Sequence, residues 1–113
     1  MRETLAAAEA LAAEGASAEV IDACTLKPLD TATILASVGR TGRLVIVHEA
    51  ARTAGFGAEV AAAVADAGLF DLKAPVIRVT GWDTVMPLPR LESAYLPDTG
   101  RILDAARRVL TYD

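Results

Sequence analysis

Residues 43–49 read Arg-Leu-Val-Ile-Val-His-Glu, and the four apolar residues at their centre, Leu44–Val47, decide the fold. The run is continuously apolar rather than alternating. That predicts a strand buried on both faces, the condition of a parallel sheet covered by helices. Upstream, Asp30-Thr-Ala-Thr offers a helix start with Asp30 or Thr31 as N-cap, Ile34, Leu35 and Val38 as the apolar stripe, and Gly39 or Gly42 as the stop. Downstream, a polar, glycine-bearing loop from His48 to Gly57 leads into an alanine-rich helix over 58–69. Val76–Thr80 follow Pro75 as another strand, placed near an edge because Arg78 interrupts its apolar run.

Further out the same grammar continues. Residues 19–24, Glu-Val-Ile-Asp-Ala-Cys, are short and β-branched at the front and predict a strand. Thr4–Glu14 predicts a helix with Leu5, Ala8, Leu11 and Ala12 on one stripe and Gly15 as its stop. Residues 81–98 carry Pro87, Pro89 and Pro97 and predict an irregular crossing with a short helix near 91–95. A last helix begins at Asp98, with Ile102, Leu103, Ala106, Val109 and Leu110 as its apolar face and Arg101, Arg107 and Arg108 toward water. Helices alternating with strands in this order give an α/β fold, a three-layer α/β/α sandwich with a mainly parallel sheet, and residues 1–113 form one domain.

Composition narrows the function. With 113 residues, 53% hydrophobic, and a net charge of −4, the chain is neither disordered nor a match for the clustered cations that nucleic acid requires. No apolar stretch approaches the ~20 residues that span a bilayer. One cysteine, Cys24, forms no internal disulfide and fits a reducing, cytoplasmic compartment as a buried, inert thiol. One histidine, His48, leaves no His/Cys set for zinc.

The candidate site is the segment 47–59 leaving the carboxyl end of the strand, where open α/β sheets bind ligands. Gly55-Phe56-Gly57 entering a helix could cradle an anion, but for a lone Gly-x-Gly without a third glycine or a phosphate-binding lysine a tight turn is the plainer reading. His48 and Glu49 are adjacent, so on a strand they point to opposite faces and make a poor acid/base pair. A hydrogen-bonded strand-end histidine is the plainer reading. Trp82, Tyr95 and the prolines could mimic a docking surface for extended peptides, but a stiffened crossing loop is the plainer reading, since proline lowers the entropy of the unfolded chain. Read from residues alone, the chain is an α/β domain that binds something, with catalytic, cofactor and metal residues all none.

Four stretches point further: Asp22-Ala-Cys-Thr-Leu-Lys-Pro-Leu-Asp30, Thr41-Gly-Arg-Leu-Val-Ile-Val-His-Glu49, Gly55-Phe-Gly-Ala-Glu59 and Ala74-Pro-Val-Ile-Arg-Val-Thr-Gly81. With Asp83-Thr84 and Tyr95-Leu-Pro-Asp98, they resemble the C-terminal domain of transketolase-like enzymes over essentially the whole chain. The resemblance is strongest to the beta subunit of the decarboxylating component of 2-oxoacid dehydrogenase complexes of branched-chain, pyruvate and acetoin types. It implies an α2β2 assembly using thiamine diphosphate and magnesium to decarboxylate a 2-oxoacid and pass the product to lipoyl groups. It further implies that the cofactor is held elsewhere, that no family catalytic residue falls in this domain, and that the domain serves subunit interfaces and docking of the lipoyl acyltransferase. The implied partners are an alpha subunit, a second beta subunit and the acyltransferase, with no nucleic acid and no membrane. Within that frame His48, Glu49, Arg52 and Phe56 are the expected interface residues, Arg52 and Phe56 exposed at the sheet's carboxyl end. The alternative is a free-standing module binding a protein or an anion, and a small enzyme built on His48 and Glu49 comes third.

The chain departs from the family at Cys24, Ala51 and Val85, where arginine, proline and proline are usual. The resemblance also implies a missing strand before the first helix, central in the family sheet, with Met1 internal to, or an alternative start of, a longer subunit. The expectation is three strands: 43–48 parallel to 75–80, and 19–24 either apart across a gap, which is favoured, or slid in beside them. An unpaired edge is expected beside Leu44–Val47.

Overall fold

The computed structural model describes residues 1–112. Its helices are α1 (Arg2–Ala13), α2 (Thr31–Thr41), α3 (Gly57–Gly68), the single turn α4 (Glu92–Tyr95) and α5 (Thr99–Leu110). Its strands are β1 (Val45–Ala51) and β2 (Ile77–Gly81), with 3-10 turns at Leu69–Asp71 and Pro89–Leu91. Local chemistry sets the ends. The Asp30 carboxylate accepts from Thr33 N at 3.1 Å and Asp98 from Arg101 N at 2.8 Å, so each caps the first turn of its helix. Gly42, at φ +70°, closes α2 in the left-handed conformation that side chains disfavour.

The strands pair parallel, Val45 opposite Ile77 through His48 opposite Thr80. One face packs α1 and α5 through Ala7, Ile102 and Ala105 against Val45, Val47, Ile77 and Val79. A second core, Ile34, Val38 and Val64 with Leu35, Leu44 and Val60, joins α2 and α3, and Ile46 on β1 meets the start of α3. This is the expected three-layer α/β/α arrangement.

Four expectations need correction. The sheet has two strands, because residues 19–24 run extended but make no ladder. A strand exists only by pairing, and β-branched Val20 and Ile21 find no backbone partner. Instead Glu19 ties the segment to α2, accepting from Ser37 Oγ at 2.6 Å and from the Arg40 guanidinium at 2.7 Å, so it stands apart as favoured. Second, β1 is half-buried rather than buried on both faces, since it has one strand neighbour only. Third, Cys24 is exposed, because the stretch 21–28 lies on the surface throughout. Fourth, the α1 stripe is rotated: Ala7 and Leu11 are buried, while Leu5 is 48% exposed and Ala12 faces water. The docking partner, α5, decides which side of an all-round alanine helix is inside.

Register fixes which backbone groups face outward. Leu44 O accepts from Ile77 N at 3.2 Å, so in the parallel ladder Ile77 and Val79 turn their amides toward β1, and Arg78 and Thr80 turn theirs away. By the same alternation Val45 and Val47 point off the far side of β1, the unpaired edge expected there.

Candidate functional site

The carboxyl end of the sheet is organised around one half-buried histidine, His48. Pairing slips between His48 and Ala51, and this irregularity bends β1 into the loop that returns to α3. Ala54 in that loop holds φ +57°, which is uncommon for a residue with a side chain. Gly55 and Gly57 supply the space: a Cβ on Gly55 would meet the His48 ring at 2.6 Å and crowd Ala51 O, and one on Gly57 would meet the ring at 2.6 Å. Both glycines are needed for the His48 ring to fit.

His48 is not hydrogen-bonded as expected: both ring nitrogens are buried and neither has a partner. Burial, reinforced by the nearby Arg78 guanidinium, pushes its pKa below the ordinary value, so the ring is neutral at pH 7. Glu49, next along the strand, is exposed, in keeping with the expected opposite-face arrangement. The two therefore form no acid/base pair.

Two arginines cross above this end. Arg52 Nη1 donates to Arg78 O at 3.0 Å, and Arg78 Nη1 donates to Arg52 O at 3.0 Å. Neither makes a salt bridge among the described residues. The nearest anion, Asp83, accepts from Thr53 N at 2.8 Å and Thr53 Oγ1 at 2.7 Å; these bonds, more than the charge of Arg52, hold its pKa below the usual range. Arg52 is exposed as expected, but Phe56 is half-buried. Its ring borders a cleft of about 700 Å³ shared with Leu26, Pro28, Leu29 and Ala63.

Part of the amide set that could cradle an anion is taken. At the start of α3, Ala58 N donates to Gly55 O at 3.0 Å and Glu59 N to Phe56 O at 2.9 Å, so these amides are already occupied. No group of three His, Cys, Asp or Glu among the described residues is placed to hold a metal. This donor set fits neither a diphosphate nor its magnesium ion.

Sequence reasoning missed Arg101. It was expected on the wet side of α5, yet it is half-buried, donating to Thr80 O at 2.6 Å and lying 4.5 Å over the Trp82 ring. A cation in the first turn of a helix opposes the helix dipole, and that was the available signal. Of the aromatics in the crossing segment, Tyr95 is buried, and Trp82 is tied by Nε1 to Ala94 O at 2.9 Å, in keeping with a stiffened loop. No helix is long and apolar enough to cross a membrane among the described residues.

Comparison with known proteins then gives this geometry a context. The family described as transketolase, C-terminal domain, matches residues 1–102. A relative named pyruvate dehydrogenase E1 component subunit beta, from Leifsonia xyli subsp. xyli, is 50% identical over 108 residues, 96% of this chain and 32% of that protein. The protein of the same name from Bacillus subtilis is 46% identical over 112 residues, 99% of this chain and 34% of its own. A solved structure titled split gene transketolase, inactive beta4 tetramer, superposes with a TM-score of 0.83 at 29% identity, covering 98% of this chain and 35% of that one. The chain thus spans about a third of the length of the relatives it matches.

Proposed function

The chain belongs to the transketolase C-terminal domain family, and on that premise we propose that it is the non-catalytic C-terminal domain of the beta subunit of a 2-oxoacid dehydrogenase. The observation that carries this is 50% identity along 96% of the chain to a protein named as a pyruvate dehydrogenase beta subunit. Pyruvate is accordingly the favoured 2-oxoacid, ahead of a branched-chain one. Thiamine diphosphate and magnesium belong to other parts of the assembly, since this chain's occupied helix amides and separated His48 and Glu49 suit neither cofactor nor proton transfer.

The domain's role is assembly. It meets an alpha subunit and a second beta subunit, and contributes to docking of the lipoyl acyltransferase. The surface we assign to subunit contact is the carboxyl end of the sheet: Glu49, Arg52 and the Phe56 cleft, with His48 beneath positioning the loop. An arginine beside an aromatic is typical of an interface anchor. That a relative forms a tetramer described as beta4 supports contact between like chains.

The test is assembly and turnover with the alpha subunit in the full-length protein. Arg52→Ala with Phe56→Ala is expected to weaken tetramer formation while leaving each subunit folded, and unchanged assembly overturns the interface assignment. Turnover of pyruvate by this chain alone, or micromolar binding of thiamine diphosphate with magnesium in calorimetry, overturns the non-catalytic reading.

A further inference from the structure

We infer that the 54–57 turn is a clasp released by a proton: it stays shut over a neutral His48 ring, and proton uptake drives the ring out and swings Phe56 away from its cleft. The consequence for assembly rests on the assignment of Phe56 to subunit contact; the clasp itself does not. The ring lies on the face of β1 that meets α3, since Val45 and Val47 belong to the opposite core. Its Nε2 edge rests on the glycines of the turn: a Cβ on Gly55 would stand 3.4 Å from Nε2, and one on Gly57 2.6 Å. Both ring nitrogens are buried and find no hydrogen-bond partner among the described residues. A neutral imidazole occupies that position at some cost. An imidazolium there would hold two unsatisfied N–H groups and an unpaired charge, which is far worse.

Among the described residues no anion faces the ring. On β2 the ionisable side chain of the same face is Arg78, a cation whose field opposes protonation. Arg52 in the loop is a second cation, tied to Arg78 O, and Arg101 at Thr80 O is a third, beyond β2. The carboxylates turn elsewhere. Asp83 is taken by Thr53, Glu49 is exposed on the opposite face of β1, and Glu59 and Asp66 of α3 are exposed. The turn is also the weak link between two anchors. Thr53 is bound to Asp83 on one side and α3 begins on the other, while Ala54 between them carries φ +57°, a strained conformation that opening relieves. When the ring takes a proton, this turn yields before the strands do.

A released ring regains the ordinary histidine value, so opening gains ground as pH falls below about 6.5. The experiment is hydrogen exchange on the full chain and on His48→Gln at about pH 7.5 and about pH 5.5, corrected for intrinsic rates. The amides of Ala58 and Glu59 bond to the carbonyls of Gly55 and Phe56 and report the turn. In the wild type they should lose protection severalfold at the lower pH, while those of Thr53, Ile77 and Val79 keep theirs. In His48→Gln the loss should vanish. An equal loss across all five amides, or the same loss in the variant, overturns the clasp. Should glutamine prevent folding, ring-proton resonances of the wild type decide, since His48 is the one histidine. Ring titration and loss of protection should share a midpoint, and a ring that titrates while the turn stays protected overturns the release. With the alpha subunit, assembly of the full-length protein should weaken severalfold over the same step, and not in His48→Gln. Assembly indifferent to pH while the turn opens overturns control of assembly, whereas the interface reading itself is judged by Arg52→Ala with Phe56→Ala at neutral pH.

Discussion

The two outer edges of the β1–β2 sheet are built from the same kind of backbone, yet one is sealed and the other bare. On β2 the outward carbonyls of Arg78 and Thr80 are taken by guanidinium groups, Arg52 on the first and Arg101 on the second. On β1 the outward groups of Val45 and Val47 have no hydrogen-bond partner among the described residues. Unpaired strand edges template further pairing, and cations on an edge are a recognised way of blocking it. The difference teaches that strand addition is blocked by side chains at one edge and left available at the other. It also shows that Arg52 does structural duty within the chain, beyond any contact with a partner.

The largest expected effect comes from breaking the sealed edge at its support. Gly57→Ala drives a Cβ into the His48 ring and against Ile46, dislodging the loop that carries Arg52. The expected cost is about 3 kcal/mol, at the upper end of overpacking effects, read as a lower midpoint in urea unfolding. An unchanged midpoint would show that His48 has room to move and that the loop is not braced by it.

Removing the seals directly is the next step down. Arg52→Ala with Arg101→Ala frees two carbonyls, each a charge-assisted bond on a part-exposed edge worth about 1 kcal/mol. Light scattering on mild warming should rise well above wild type as the β2 edge becomes like that of β1. In hydrogen exchange the amides of Val45 and Val47 should already exchange faster than those of Ile46 and His48 in the wild-type chain, and the double substitution should leave that contrast intact.

The smallest effect is pH. Unfolded, His48 takes a proton near pH 6.5, whereas in the fold burial and then Arg78 hold its pKa lower. The unfolded chain therefore binds more protons just below 6.5. The stability that the neutral ring contributes is present above that pH and is lost as pH falls through the folded value. Urea midpoints should begin to drop below about pH 6.5 in the wild type and stay flatter in His48→Gln. The carboxylates with lowered values, Glu3, Glu14, Glu19, Asp30 and Asp83, lose theirs only at more acid pH, so the two windows separate.

Much of this was legible. Leu44–Val47 announced the first strand, Arg78 an edge, Asp30 and Asp98 their caps, and Gly42 a stop, because each depends on chemistry within a few residues. The candidate site was legible in place but not in detail: His48, Glu49 and Arg52 stand where expected, while Phe56 is half-buried and the His48 nitrogens lack the expected hydrogen bond. Arg101 was assigned to the wrong side, because a helix stripe does not reveal that Thr80 O lies within reach.

Sequence by itself determined the main helices, the two strands at 45–51 and 77–81 and the family, since apolar runs, caps and joined motifs are local properties that survive without a partner. Tertiary structure alone decided which of the alternatives those elements took. Val20 and Ile21 are strand formers without a strand, Cys24 is exposed, and Leu5 yields its place to Ala7, because burial and backbone pairing depend on what the rest of the chain brings alongside. The sealing of one sheet edge belongs there too. Arg52 and Arg78 are 26 residues apart, and only the return of the chain after β1 lays each across the other's carbonyl.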